Sequence, residues 1–429
     1  MTLALGVDVG TSGIRTAVID ETGVPIAMAR KAHARQDPRK IDAELWWQSV
    51  VECLRSQIAT LRDQGLEPAD ISGIAVDGTS STMVLTDANI KPVTRALMYN
   101  SRGFDQEAAT IARSAPEHHI VRGSSSALAR ALRLWQEDQE RQASHLLHQA
   151  DYILAKLTGI GGQSDVNNSL KTGVDPLTCQ WPDWFAETGI AMSLFPEVHD
   201  VGTMIAPIRS SLAERLGLSR SVMVHAGTTD SIAAFLACTE PEPGVAVTSL
   251  GTTLAVKAVS TQRVENPDLG LYSHRLGSVW LAGGASNSGG GVLESFFTID
   301  EIVQLCSKID PFSSTGLDYY PLPSPGERFP INDPSLRPRL TPRPRSDVAF
   351  LQGMMEGIAA IESRSYAAIR DCGGDDPQTI FTAGGGAQNL IWTAIRARVL
   401  GLPVRSATHT EAAIGAARLV LAGHHRNPI

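Results

Sequence analysis

The 429-residue chain is 43% hydrophobic and 19% charged, with 37 Lys and Arg against 45 Asp and Glu, a formal charge of −8. That length exceeds one ordinary core and gives a prior of about two or three domains; the composition is that of a soluble globular protein, with no apolar run long enough for a bilayer and no basic cluster to grip nucleic acid. The cysteines Cys53, Cys179, Cys238, Cys306 and Cys372 lie far apart, without zinc spacing, and only Met1 and Thr2 precede the first strand pattern, so reduced thiols and a cytoplasmic location are expected.

Leu3, Leu5, Val7 and Val9 share one face and Asp8 takes the other, so the alternation predicts a strand ending at a carboxylate. The turn Gly10 to Gly13 (GTSG), a strand from Arg15 to Ile19, a turn at Asp20 to Gly23 and a strand from Val24 to Ala29 extend it into an antiparallel meander. Asp42 can cap a helix in which Trp47, Val50, Leu54, Ile58 and Leu61 recur, and Gly65 is placed to end it. A strand at Ile71 to Val76 then leads into DGTSST (Asp77 to Thr82); strand, helix and strand in this order favour a parallel addition to a mixed α/β sheet. Helices are predicted at Ala127 to Gln136 and Tyr152 to Leu157, whereas residues 158–220 show no clear period. Near Val245 the opening plan starts again, with LGTT (Leu250 to Thr253) echoing DVGTS (Asp8 to Ser12), which points to two related lobes. Residues 321–346, rich in Pro, Arg and Ser, read as an extended surface loop, followed by a helix from Val348 to Ile369, a strand from Thr379 to Ala383 and a small-residue helix from Glu411 to Leu421.

Several of these turns could carry chemistry. A Gly-Thr-Ser turn between antiparallel strands exposes consecutive backbone N–H groups and hydroxyls, which suits a phosphate tail, and Asp8 at its edge could orient waters on a magnesium ion. The same residues also make an ordinary hairpin turn. Gly251-Thr252-Thr253 could grip the same phosphates, and two such turns together are harder to ascribe to turn geometry alone. In AGGGAQN (Ala383 to Asn389), glycines would let a flat ring approach the backbone and Asn389 could add a polar contact; a flexible loop is the alternative. Asp230, at the expected start of a helix in AGTTDSIAAF, could accept a hydroxyl proton or serve only as a cap. Asp77 and Ser80 could bind sugar hydroxyls or simply form a turn. SDVNNSLKTG (Ser164 to Gly173) and GGASNSGGG (Gly283 to Gly291) read as loops.

Taken together the set resembles the FGGY carbohydrate kinases, a branch of the actin, Hsp70 and hexokinase-like ATPases. DVGTSGIR resembles their first phosphate motif, GTTDSIAAF their catalytic aspartate segment, LGTT their second phosphate motif, and AGGGAQN with EAAIGAARLV their adenosine and closing-helix segments. Within the family, VDGTSST, QADYILAKLTG, VTSLGTTLAVK, GGASNSGGG and GLDYYPLPSPGERFP look closest to the cyanobacterial and plant D-ribulose kinase group; Gly78-Thr79-Ser80 departs from the Met-His-Gly pattern of xylulokinases. The resemblance implies a two-lobed α/β ATPase fold of the ribonuclease H-like type, with duplicated domains and a central cleft. A sugar-binding lobe would span residues 1–237, with the closing helix of 411–429 packing back on it, and a nucleotide-binding lobe residues 238–410.

The resemblance further implies ATP and magnesium as cofactors and a small sugar as substrate, with D-ribulose first and D-xylulose or another polyol as alternatives; nucleic acid and membrane are not expected partners, and the chain would be a monomer or homodimer. It assigns Asp230, Asp8 and Thr11 to catalysis, Asp230 as the base and Asp8 on magnesium through water. Asp8, Ser12, Gly13, Asp77, Ser80 and Asp230 would border the sugar. Gly10, Thr11 and Ser12 with Gly251, Thr252 and Thr253 would hold phosphates, and Gly384, Gly385 and Asn389 would border adenosine. A nucleotide-driven chaperone or filament protein, or a sugar sensor without turnover, shares the phosphate turns and is the competing class.

Overall fold

Every side chain of the first strand, β1 (Leu3–Val9), is buried, although its alternation predicts one apolar face. The second face is covered by the carboxy-terminal helix, whose backbone comes so close that a Cβ on Gly6 would sit 1.8 Å from the carbonyl oxygen of Ala413. In this computed structural model, which describes residues 2–123 and 126–425, the chain divides into two compact units, Met1–Ala237 with Glu411–Ile429, and Cys238–Thr410.

The first unit runs β1, β2 (Gly13–Ile19), β3 (Pro25–Ala32), α1 (Ala43–Asp63), β4 (Ile71–Gly78), β5 (Met83–Thr86), α2 (Asp105–Ile111), α3 (Ala127–Glu137), β6 (His145–His148), α4 (Gln149–Thr158), β7 (Gln163–Asp165), α5 (Val166–Leu170), β8 (Glu197–His199), β9 (Met204–Pro207), α6 (Ser210–Leu216), β10 (Met223–Thr229) and α7 (Asp230–Cys238). Its main sheet has the order β3-β2-β1-β4-β10-β9. The meander β1–β3 is antiparallel, and β4 and β10 add in parallel, as a strand followed by a crossover helix requires. Asp42 caps α1 by accepting from the Glu44 N–H, and Trp46, Trp47, Val50, Leu54, Ile58 and Leu61 form the core beneath the sheet. Both tryptophans are buried.

The second unit repeats the plan with β11 (Val245–Leu250), β12 (Leu254–Ser260), β13 (Tyr272–Leu276), β14 (Val279–Ser286), α8 (Gly290–Glu294), α9 (Ile299–Cys306), α10 (Asp347–Asp371), β15 (Thr379–Ala383), α11 (Leu390–Leu400) and β16 (Val404–Ser406). Its sheet order is β13-β14-β12-β11-β15-β16. Counted from β11, an antiparallel run, here of four strands where the first unit has three, is again followed by two parallel strands, so β11 corresponds to β1 and β15 to β4. This is the duplicated α/β arrangement expected of the actin, Hsp70 and hexokinase-like fold. The chain then returns to the first unit through α12 (Ala412–His425). There Gly415 lies against α7, where a Cβ would meet the Ala233 carbonyl oxygen at 1.8 Å.

Residues 321–346 contain no helix or strand, yet they are not a plain surface loop. Phe329 is buried in the core of the second unit, and the buried Glu327 carboxylate accepts from Ser286 Oγ at 2.6 Å and from the Asn287 N–H at 2.7 Å. Leu322, Glu327 and Phe329 turn inward at irregular intervals in a Pro-rich run and leave no periodic signal. None of the described helices is long and apolar enough to cross a membrane.

Candidate active site

Three carboxylates meet at the ends of three neighbouring parallel strands. Asp8 stands opposite Asp77 in the β1–β4 register, and Thr228, two residues before Asp230, stands opposite Asp77 in the β4–β10 register. Side chains at the carboxyl ends of parallel strands converge where crossover connections leave the sheet, which is where open α/β sheets carry their sites. Arg15 lies across from Asp8 in the hairpin and donates from Nη1 to Asp8 Oδ2 at 3.1 Å; its Nε lies 3.4 Å from Glu411 Oε2. Burial raises Asp8 above the usual carboxylate range while Arg15 opposes that rise.

Asp77 was expected to face a sugar, but it is fully buried. Burial, reinforced by the charges of Asp8 and Asp230, pushes it well above the ordinary carboxylate range, and neither of its oxygens receives a hydrogen bond from the described residues. A carboxyl held neutral in this way carries a proton that it can offer to the neighbouring Asp8, which favours the ionised form of that partner. Asp77 thus acts on Asp8 from the neighbouring strand. Asp230 is half-buried as the first residue of α7, and its Oδ1 accepts from the Ser231 N–H at 2.6 Å.

The turn between β1 and β2 presents Thr11 and Ser12 to solvent, closed by the Gly10 N–H donating to the Gly13 carbonyl at 3.0 Å. Gly13, expected beside the substrate, is instead a buried packing position: a Cβ there would meet the Lys31 carbonyl oxygen at 2.4 Å. After β4, Thr79 Oγ1 lies 2.6 Å from Gln149 Oε1 and 2.7 Å from Thr82 Oγ1. Ser80 Oγ has no hydrogen-bond partner among the described residues. Of Gly78-Thr79-Ser80, only Ser80 therefore keeps an uncommitted side-chain hydroxyl.

Behind this edge lies a buried polar network in the segment that reads as a loop. Asp165 Oδ1 accepts from the Asn167 and Asn168 N–H groups at 2.9 Å each, and Asn167 Nδ2 donates to Thr228 Oγ1 at 3.2 Å. His148 Nδ1 lies 2.6 Å from Asp151 Oδ2, and its Nε2 lies 2.8 Å from Thr172 Oγ1. The strand carrying Asp230 is thereby tied to α5. Polar residues filling an interior cannot be recognised by hydrophobic period; the run of Asp and Asn beside Gly173 is the only trace in the sequence.

Burial, with the Asp151 carboxylate adding to it, raises Asp165 to about 6. A folded-state pKa above the unfolded value near 3.8 means that the contribution of Asp165 to stability is fully present below about pH 4 and is lost as pH rises through 6. The shift corresponds to about 3 kcal/mol. In Asp165→Asn, stability relative to wild type is expected to climb by roughly that amount between pH 4 and 7; urea unfolding of the full chain across this range measures it, and parallel profiles would refute the assignment.

In the second unit, three small-residue loops converge. Ser249 pairs with Ala383 in the parallel β11–β15 register, so the turn Gly251–Thr253 and the turn after Ala383 leave the sheet side by side. Gly384 has φ +85°, and a Cβ there would meet the Leu250 carbonyl oxygen at 2.7 Å. The third segment, which reads as a loop, is the Gly289–Gly291 entry to α8, reached directly from the end of β14: the Gly290 N–H donates to the Gly251 carbonyl at 2.8 Å and the Gly291 N–H to the Thr252 carbonyl at 3.1 Å. Its three consecutive glycines were the available signal. Gly251, Thr252, Thr253, Gly384 and Gly385 are exposed, whereas Asn389 is engaged: Oδ1 caps α11 at Trp392 N and Nδ2 lies 3.2 Å from Cys306 Sγ.

No group of three or more His, Cys, Asp or Glu side chains among the described residues could enclose a metal ion. Asp8, Asp77 and Asp230 therefore do not form a protein-built metal cage.

Comparison with known proteins bears on both units. A xylulose kinase of Staphylococcus epidermidis is 24% identical over 450 residues, covering 98% of this chain and 88% of the relative, and a xylulose kinase of Streptomyces coelicolor is 27% identical over 445 residues, covering 97% and 86%. The crystal structure of xylulose kinase from Rhodospirillum rubrum superposes with a TM-score of 0.84 at 21% identity, covering 99% of this chain and 91% of that one. Residues 3–237 match the N-terminal domain of the FGGY family of carbohydrate kinases, and residues 246–423 match its C-terminal domain. With both domains present in order, the chain belongs to the FGGY family of carbohydrate kinases.

Proposed function

We propose that this kinase transfers the γ-phosphoryl group of ATP to the terminal hydroxyl of a ketopentose in the cytoplasm. The observation that carries the reading is the meeting of Asp8, Asp77 and Asp230 at the ends of β1, β4 and β10. Asp230 accepts the proton of the acceptor hydroxyl as its oxygen bonds to the γ-phosphorus and the bond to ADP breaks. Such a transfer needs placement more than strong basicity. Alignment of the reactants can supply about 7–11 kcal/mol of barrier reduction.

Asp8, kept ionised by Arg15 and by the proton on Asp77, faces the cation and the sugar, and the exposed Thr11 and Ser12 hydroxyls with the Gly10 turn meet phosphate oxygens. When bound, Mg2+ would neutralise charge on the transferring phosphates. The sugar would border Ser80, Asp8 and Asp230. Gly251, Thr252 and Thr253 hold the nucleotide phosphates, with Gly384 and Gly385 open for the base, and Asn389 shapes that loop through its cap and not through a free amide. Family membership favours this over a chaperone, filament or non-catalytic sensor.

For the acceptor, the names of the relatives favour D-xylulose. D-ribulose is a second reading that rests on Gly78-Thr79-Ser80. One misplaced hydrogen bond separates epimers strongly, so a coupled ADP-release assay over D-xylulose, D-ribulose, L-ribulose and glycerol decides between them. A higher kcat/KM for D-xylulose is expected; a preference for D-ribulose would reverse the order, and no turnover with any ketopentose would refute the reading.

A further inference from the structure

A cavity of about 620 Å³ opens within the first unit beside the Thr11–Ser12 turn, and none of its lining residues is Asp or Glu. Its wall carries His33, Arg35, Arg39, Arg95, Arg102 and Arg133. Three of those arginines are neutralised from outside the cavity: Arg39 pairs with Asp37 at 3.2 Å, Arg95 with Glu137 at 2.7 Å and Arg133 with Glu107 at 2.6 Å. Arg35 and Arg102 have no ion pair or hydrogen bond among the described residues, and both are exposed. Arg130 adds a further cation: it is buried behind residues 99–101, its Nη2 donates to the carbonyls of Tyr99 and Ser101, and its Nε and Nη1 have no partner among the described residues.

In a chain of formal charge −8, this is a local excess of positive charge in a concave setting. Low-dielectric walls focus such a field, and a guanidinium fork matches the oxygens of a phosphate. The Thr11 and Ser12 hydroxyls, which border the same cavity, add neutral donors. Its size falls within the range of small-molecule sites, roughly 300–1,000 Å³, and leaves room for more than a bare phosphate. His33 links the wall to the turn, with Nε2 3.1 Å from the Gly10 carbonyl oxygen and Nδ1 3.2 Å from Ser49 Oγ.

We propose that this cavity is an anion site that takes a phosphate monoester of a small sugar or polyol, held by Arg35 and Arg102 against the Thr11–Ser12 turn. None of the three carboxylates lines the cavity, which shares the Thr11–Ser12 turn with the proposed catalytic centre. It does not depend on which sugar the kinase phosphorylates, because binding is read without ATP or acceptor.

The test is calorimetric titration of the full chain with D-xylulose 5-phosphate, D-ribulose 5-phosphate and inorganic phosphate, with free D-xylulose as the neutral control. A pentulose phosphate is expected to bind more tightly than inorganic phosphate. Arg35→Ala and Arg102→Ala together should weaken it by about tenfold or more, and Arg35→Lys, which keeps charge but loses the fork, should weaken it less. Both arginines are exposed and unpartnered, so thermal midpoints should stay near wild type, and turnover at saturating ATP and ketopentose should be retained. Tighter binding of inorganic phosphate than of either monoester would overturn the ligand class. Absence of binding at millimolar concentrations, unchanged affinity in the double variant, or loss of turnover with affinity intact would overturn the site.

Discussion

In an Asp230→Ala variant, kcat for the ketopentose is expected to fall by about 10³-fold or more, within the range that a positioned general base supplies, while ADP binding stays measurable. Asp230 opens α7, is half-buried, and raises the pKa of Asp77 through its own negative charge. It is half-buried where Asp77 is fully buried, and Asp8 is paired with Arg15. A second pair of variants separates its role from that of its neighbour. If Asp77 acts as a neutral donor to Asp8, Asp77→Asn preserves its shape and a donor and should lose far less turnover than Asp77→Leu. Turnover close to wild type in Asp230→Ala, measured by direct detection of the sugar phosphate, would remove Asp230 from the role of base.

Breaking the buried ion pair of the second unit should have the largest effect on stability. Arg396 on α11 and Glu362 on α10 are fully buried and joined by two bonds, Nε to Oε2 at 2.6 Å and Nη2 to Oε1 at 2.7 Å. Arg396 Nη1 also donates to Thr382 Oγ1 at 2.7 Å, and Thr248 Oγ1 donates to Glu362 Oε1 at 2.5 Å and lies 2.7 Å from the Tyr366 hydroxyl. Burial opposes the charge on Arg396, and Glu362 outweighs it, so the guanidinium is held above its usual range.

Thr248 and Thr382 are register partners on β11 and β15, just before the turns at Gly251 and Gly384. Arg396→Met leaves Glu362 buried and unpaired, which typically costs about 3–5 kcal/mol, whereas the double variant Arg396→Met/Glu362→Leu removes both charges and should regain much of that loss. Denaturant unfolding of the full chain measures both. Weaker ADP binding is expected alongside, because the strands that present the two turns lose their shared anchor. A single variant less than about 1 kcal/mol down would mean that the unpaired carboxylate is relieved in some other way.

Where an element has a strong period and clear ends, the sequence announces it. The strands Leu3–Val9 and Thr379–Ala383 stand where their alternation predicts, and α1 begins after Asp42 because a short carboxylate can accept from the Glu44 N–H. Residues 158–220 resisted because their elements are three to seven residues long and their interior is polar, with Asn167, Asn168 and Ser169 all buried. The loop around Phe329 and Glu327 resisted for a related reason: a few inward residues at irregular spacing have no period.

What the sequence by itself determined is the inventory of chemistry: two Gly-Thr turns, a glycine-rich turn after a strand, and aspartates at strand and helix ends, each set by backbone conformations that few residues tolerate. It could not say which of those side chains would be free to act. Gly13 became a packing position, Asp77 was buried beside Asp8, and the Asn389 amide was taken by its own helix and by Cys306. Those outcomes depend on which backbone lies within a few ångströms and on how many charges share one desolvated space. Such distances are created by strands far apart in the chain, so only the tertiary structure could decide them.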